Sequence, residues 1–167
     1  MNETPQQYTQ RILGYVEGQE PLAVQRATAK TIAHLIDGVP DGVLRARPAP
    51  GRWSVGEILA HLADAEIVGA YRIRFVLGSP GGAVAGYDQD AWAAAGRYAG
   101  RDPHKSLELF RAVREANLTL LESLAPEQWQ HYGVHSERGR ESIERLVRMS
   151  AGHDVNHLQQ IEAILHS

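Results

Sequence analysis

Apolar residues along this chain recur mainly at intervals of three and four, the period of helices that bury one face. The first strongly periodic segment runs from Glu20 to Ile36, with Leu22, Val24, Ile32, Leu35 and Ile36 on the stripe and Gly38 and Pro40 closing it. Upstream, Tyr8, Ile12, Leu13 and Val16 predict a short amphipathic helix or turn, broken at Gly18. Pro40, Pro48 and Pro50 make residues 40–51 an ordered loop rather than a regular element, and Trp53 anchors it to the core. Ser54 and Glu57 have the spacing of a capping box, in which each side chain satisfies an amide of the first helical turn. A second long helix starts there, with Ile58, Leu62, Ala65, Val68 and Ile73 as its stripe, and ends at Gly78, Pro80, Gly81 and Gly82. Arg72 and Arg74 fall near its C-terminal end, where cations suit the helix dipole.

Residues 86–100 read as loop with a short helix in DQDAWAAAG. Asp102 and Pro103 are N-cap and first-turn residues, and Leu107, Phe110, Val113, Leu118 and Leu121 carry a third long helix to about Leu124, before Pro126. The segment from Glu127 to Arg140 reads as connection. From Glu141 to Leu165 a fourth helix keeps Ile143, Leu146, Val147, Ser150, Val155, Leu158 and Ile161 in helical register, with Gly152 its one weak helix former. Four long helices without an alternating strand predict an all-α, four-helix bundle. The length of 167 residues, 43% of them apolar, suits one domain across residues 1–167.

Charge and cysteine content narrow the function classes. A formal charge of −3, from 17 basic and 20 acidic residues, offers no polycationic face to nucleic acid or to an anionic membrane. No cysteine is present, so disulfides and thiolate ligands are excluded, and any thiol in the chemistry comes from the substrate. The N-terminal stretch lacks the basic start and apolar run of an export signal, and no window approaches the ~20 apolar residues of a membrane span. The expectation is a cytoplasmic protein.

The chemistry resides in histidines. His153 and His157, in AGHDVNHLQQIE, lie four apart, so both rings leave one face of the fourth helix, in line with Leu146, Ser150 and Ile161 and towards the bundle interior. The pair either binds a metal ion or hydrogen-bonds to buried polar groups, and spacing alone does not separate the two. His61, in EILAHLADAE, sits at the edge of the buried stripe of the second helix; beside a competent pair it is the natural third ligand. Three histidines leave a coordination position open for water or substrate, as catalytic sites do. His34 faces the core or complements a helix end, whereas His104, His131, His135 and His166 are expected in solvent. Asp64, Asp154 and Glu57 are either solvated or hold a second ring nitrogen of a ligand. A zincin is excluded because HDVNH carries Asp154 where the base glutamate belongs, and a di-iron bundle because no glutamate precedes a histidine by three.

In order along the chain, PAPGRWSVGEILAHLADAE, the late glycine of HSERGRESIERLV, and MSAGHDVNHLQQIEAIL resemble the DinB-like or YfiT-like metal-dependent proteins over nearly the whole length. The resemblance implies an up-down-down-up bundle, a homodimer, and a divalent ion held by His61, His153 and His157, zinc or nickel foremost with iron or manganese as alternatives. Some members of that family resemble thiol-dependent transferases or isomerases, and many have no assigned activity. The expectation is a metal-dependent enzyme acting on a small molecule by thiol S-transfer or hydrolysis, with a low-molecular-weight thiol as one candidate substrate. The alternative is a non-catalytic metal-binding module in stress response or protein interaction.

Overall fold

Among residues 3–166, those described by a computed structural model, seven α-helices and a small sheet build the fold. In order they are α1 (Pro5–Gly14), α2 (Pro21–Leu35), α3 (Asp41–Arg45), α4 (Val55–Gly78), β1 (Ala83–Val84), α5 (Gln89–Ala95), α6 (Pro103–Glu122), β2 (Tyr132–His135), β3 (Gly139–Ser142) and α7 (Ile143–Leu165). The long helices begin where side chains can satisfy their free amides. Thr4 and Gln7 form a capping box on α1, Ser54 and Glu57 form one on α4, and Asp102 and Ser142 cap α6 and α7.

Helices α2, α4, α6 and α7 form the bundle, and cross-helix pairs give their directions. Gln25 and Thr28 of α2 meet Val147 and Asp154 of α7 in ascending order, so these helices are parallel. Gly56 and Glu66 of α4 likewise meet Pro103 and Arg114 of α6, whereas the late-α4 residues Ile73 and Val76 pack on the start of α7, Ile143 and Val147. The result is the up-down-down-up order expected from the family resemblance. Two parallel neighbours in sequence need a long return, and residues 79–102 supply it with β1 and α5 on the way.

The core is divided. One apolar cluster collects Ile32, Leu44, Ile58, Leu59, Leu62, Phe110 and Ile161, and a second collects Ile73, Val76, Val84, Leu121, Ile143 and Val147. Full burial of each such side chain contributes roughly 1.5–3 kcal/mol. A buried polar layer also crosses the bundle. Arg114 donates to Asp154 at 2.6 and 3.1 Å and to Glu66 at 2.7 Å; Asn117 donates to Glu66 at 2.7 Å, and Thr28 donates to Asp154 at 2.9 Å.

Two expectations about the connecting segments need correction. Residues 40–51 contain the one-turn helix α3, whose Leu44 is fully buried and gives the loop a regular anchor. The segment from Glu127 to Arg140 is not plain connection: β2 and β3 form an antiparallel hairpin, and β1 adds to β2 in parallel. Strands of two and four residues are too short for alternation to register, and Gly133 and Gly139 dilute the apolar signal. Gly139, at φ 71°, allows the tight return between β2 and β3. Gly152, the weak helix former within α7, is also a contact point: a Cβ there would fall onto the Ile12 carbonyl, so its absence lets α1 lie directly against α7.

Candidate metal centre

The capped start of α4 fixes the position of His61. Glu57 accepts hydrogen bonds from the Ser54 amide and from Arg47, so the first turn is held by both a loop residue and its own cap. One turn later His61 is fully buried, with the Trp53 ring packed at 5.0 Å from its own. His153 and His157 project from one face of α7 towards it. The Nε2 atoms of His61 and His153 lie 3.0 Å apart, those of His153 and His157 lie 3.1 Å apart, and one nitrogen from each of the three rings falls within 4.8 Å of the other two. The structure thus brings together the three histidines singled out in the sequence.

Their hydrogen bonding cannot be completed from within. The side-chain Oε1 of Gln160 lies 3.0 Å from Nδ1 of His157 and accepts its hydrogen bond, so the neutral ring carries its proton on Nδ1 and turns a bare lone pair at Nε2 towards His153. His153 Nε2 has at most one proton for two neighbouring nitrogens, and Nδ1 of His61 is buried without a partner. A cation accepting three lone pairs resolves the Nε2 cluster. For nitrogen ligands at about 2.1 Å, adjacent donor atoms on a coordination polyhedron lie about 3.0–3.4 Å apart, which the observed separations fit. This donor set could therefore hold one ion.

The rings are also kept in the neutral form that ligation needs. Burial, followed by the nearby His157, lowers the His61 pKa to about 3. Burial lowers that of His157 to about 4 against the opposing pull of Gln160. His153 lies well below its ordinary value, first through burial and then through its neighbours His157 and His61.

The acids proposed as supports for the ligands do other work. Asp64 accepts from Tyr98 at 2.9 Å and from Arg101 at 2.7 Å, tying the segment before α6 to α4. Asp154 belongs to the Arg114 layer, and Glu57 caps α4. Gln160 is the residue that holds a ligand ring; it lies three residues after His157 on the same helical face, a spacing that would have revealed it. Among the other histidines, His34, His104 and His166 are exposed and His131 is half-buried. His135 is fully buried, against expectation: it pairs with Val84 of β1 and its ring lies against Arg72 of α4.

A cavity of about 410 Å³ opens beside the cluster, with His61 and His153 at one end and Arg72 and Tyr87 on its wall. A wider groove of about 830 Å³ runs past His157, Gln160 and Trp53. No helix among the described residues is long and apolar enough to cross a membrane.

Known proteins share this sequence pattern and fold. A protein of Oceanobacillus iheyensis named "putative metal-dependent hydrolase" is 27% identical over 68% of this chain and 66% of its own length. YfiT of Bacillus subtilis, which carries the same designation, is 24% identical over 75% of this chain and 71% of its own. A solved structure of YfiT, described as "a probable metal-dependent hydrolase with an unusual four-helix bundle topology", superposes with a TM-score of 0.80 over 86% of this chain and 83% of that one, at 21% identity. The family model of the DinB superfamily matches residues 23–161, and this chain belongs to that superfamily.

Proposed function

We propose that His61, His153 and His157 hold one divalent ion with a coordination position left open, and that the protein is a metal-dependent enzyme acting on a small molecule bound in the adjoining cavity. The observation that carries this reading is the convergence of three neutral imidazole nitrogens, spaced 3.0 and 3.1 Å apart, at the end of a cavity of about 410 Å³. A divalent ion in that position supplies Lewis acidity, lowering the pKa of a coordinated water or thiol so that a nucleophile is present at neutral pH. Hydrolysis has support from the names of the relatives, and thiol S-transfer rests on the family resemblance. Three imidazoles suit zinc, nickel, iron and manganese, so cellular availability selects among them.

The chain's own residues supply orientation and dryness. Gln160 fixes the tautomer of His157, and Trp53 covers the His61 ring. Leu62, Phe110 and Val147 wall the cavity with apolar surface, which strengthens electrostatic interactions inside it. Cobalt-substituted protein tests the open position: its visible spectrum should change when a small thiol or acetohydroxamate is added. A spectrum indifferent to both contradicts a catalytic site and favours the non-catalytic alternative.

A further inference from the structure

Arg72 and His135 lie outside the histidine cluster, and the chemistry proposed above leaves them unused. Arg72 stands on the strip of α4 that also carries His61, Ala65 and Gly69, three turns and about 16 Å of helix rise beyond His61. The small residues at 65 and 69 leave this strip open, so one cavity runs from His61 and His153 to Arg72.

Hydrogen bonding at its far end is incomplete in a specific way. The backbone N–H of Glu137 donates to Nδ1 of His135 at 3.1 Å, so the neutral ring carries its proton on Nε2. That Nε2 lies 3.2 Å from Nη2 of Arg72, leaving two N–H groups facing each other. Nη2 of Arg72 has one acceptor, the Ala85 carbonyl at 2.7 Å, while its Nε–H is buried with no partner. Among the described residues no carboxylate pairs with Arg72; the nearby Arg138, by contrast, is gripped by both oxygens of Glu141 at 2.8 Å. The Tyr87 ring, its centroid 5.9 Å from the guanidinium carbon, borders the same place.

We infer that Arg72 and His135 form a carboxylate-binding subsite at the far end of the cavity, so that the substrate is an elongated small molecule with a carboxylate at one end and its reacting group at the histidine end. Nε and Nη2 lie along one edge of a guanidinium, the edge that matches the two oxygens of a carboxylate. An oxygen there also accepts from Nε2–H of His135 and removes the donor–donor contact. A single negative charge suits the place better than a dianion, because the carboxylates of Glu3, Glu66, Glu137 and Asp154 already outnumber the guanidiniums of Arg72, Arg114 and Arg138 in the cavity lining. The inference deepens the enzymatic reading and rests on the cavity being its substrate site.

The test titrates hexanoate and hexanamide, alike in shape but not in charge, into the full-length protein. Affinity is read by calorimetry, and the site by the Nε–H resonance of Arg72, assigned through its loss in Arg72→Gln or in Arg72→Lys. Hexanoate should bind at least tenfold more tightly than hexanamide and shift that resonance. Arg72→Gln should abolish the preference, and Arg72→Lys, which keeps the charge, should retain part of it. Equal binding of the two compounds overturns the subsite, as does a preference that survives in Arg72→Gln. Should that variant not fold, Arg72→Lys and the resonance of the native protein decide, and an unmoved resonance overturns the subsite. Inorganic phosphate should bind more weakly than hexanoate, and the reverse order overturns the preference for a single charge. Repeating the titration with a chelator separates this inference from the metal reading. A preference lost in Arg72→Gln but kept under chelation supports the subsite whatever happens at the histidines. A preference lost under chelation but kept in Arg72→Gln places the carboxylate on the ion and overturns the subsite alone.

Discussion

Two buried polar clusters meet on neighbouring residues of α7, and they are completed in opposite ways. Asp154 points into the Arg114 layer, where two carboxylates, a guanidinium, an amide and a hydroxyl answer one another's hydrogen bonds and only Nε of Arg114 lacks a partner. His153, one residue earlier, points to two other imidazoles that cannot all be satisfied by one another. Burial opposes the charge of Arg114, but the attraction and hydrogen bonds of Asp154 and Glu66 outweigh it and raise its pKa above the ordinary value. Burial at the histidines meets no such counterion and drives them neutral. A cluster that closes on itself is a structural element, whereas one that stays open to a cation can become a site.

The largest expected effect falls on the closed cluster. Arg114→Met leaves Glu66 and Asp154 buried without their cation and should lower stability by about 3–5 kcal/mol, and the melting temperature by on the order of 10 °C. Thermal unfolding monitored by circular dichroism reads this directly; a loss below about 1 kcal/mol would mean that water already reaches the layer.

Chelation should come next, and it acts on the open cluster alone. An ion present at a hundred times its dissociation constant stabilises the fold by about 2.7 kcal/mol, so its removal should lower the melting temperature while leaving the helical spectrum in place. Arg114→Met protein should remain able to bind the ion. If chelation and Arg114→Met prove strongly non-additive, the two clusters form one network and the contrast fails.

Gly152→Ala should have an intermediate effect. The added methyl meets the Ile12 carbonyl, so α1 must move off α7 at a cost of about 1–3 kcal/mol. Because Tyr8 of α1 lines the cavity, amide hydrogen exchange in α1 should accelerate more than in α4. Uniform exchange across both helices would contradict the local reading.

The smallest effect is a pH dependence in metal-free protein. The folded-state pKa values of His61 and His157 lie at about 3 and about 4, below the ordinary value, and that of His153 also lies low. The unfolded chain therefore takes up protons first as pH falls, and stability is present above the unfolded value near 6.5 and is lost below it. Between pH 7.5 and 6.5 the loss should be roughly 0.4 kcal/mol per imidazole, steepening towards pH 4. Denaturant titrations across that range measure it, and stability that rises on acidification would contradict burial of neutral rings.

The sequence carried the bundle and the site unequally. Helical periodicity, the Ser54–Glu57 capping box and the Asp102–Pro103 start located the four long helices to within about two residues, because long amphipathic segments repeat their signal many times. The hairpin escaped because its strands are too short to repeat anything, and with it went the burial of His135. The three histidines could be singled out because helical spacing and long helices restrict where side chains meet. The Arg114 layer could not, since Glu66, Arg114, Asn117 and Asp154 come from three helices and become neighbours only through the packing. The sequence places Arg72 as a dipole partner near a helix end, but α4 has no basic residue in its last turn, and the fold shows Arg72 reaching across to β2.

Elemental analysis of purified variants decides whether the open cluster holds an ion. Native protein should carry about one divalent ion per chain, His61→Ala, His153→Ala and His157→Ala should each carry almost none, and His34→Ala, whose histidine is exposed, should match the native content. Equal metal content in all four variants would make the three histidines ordinary core residues.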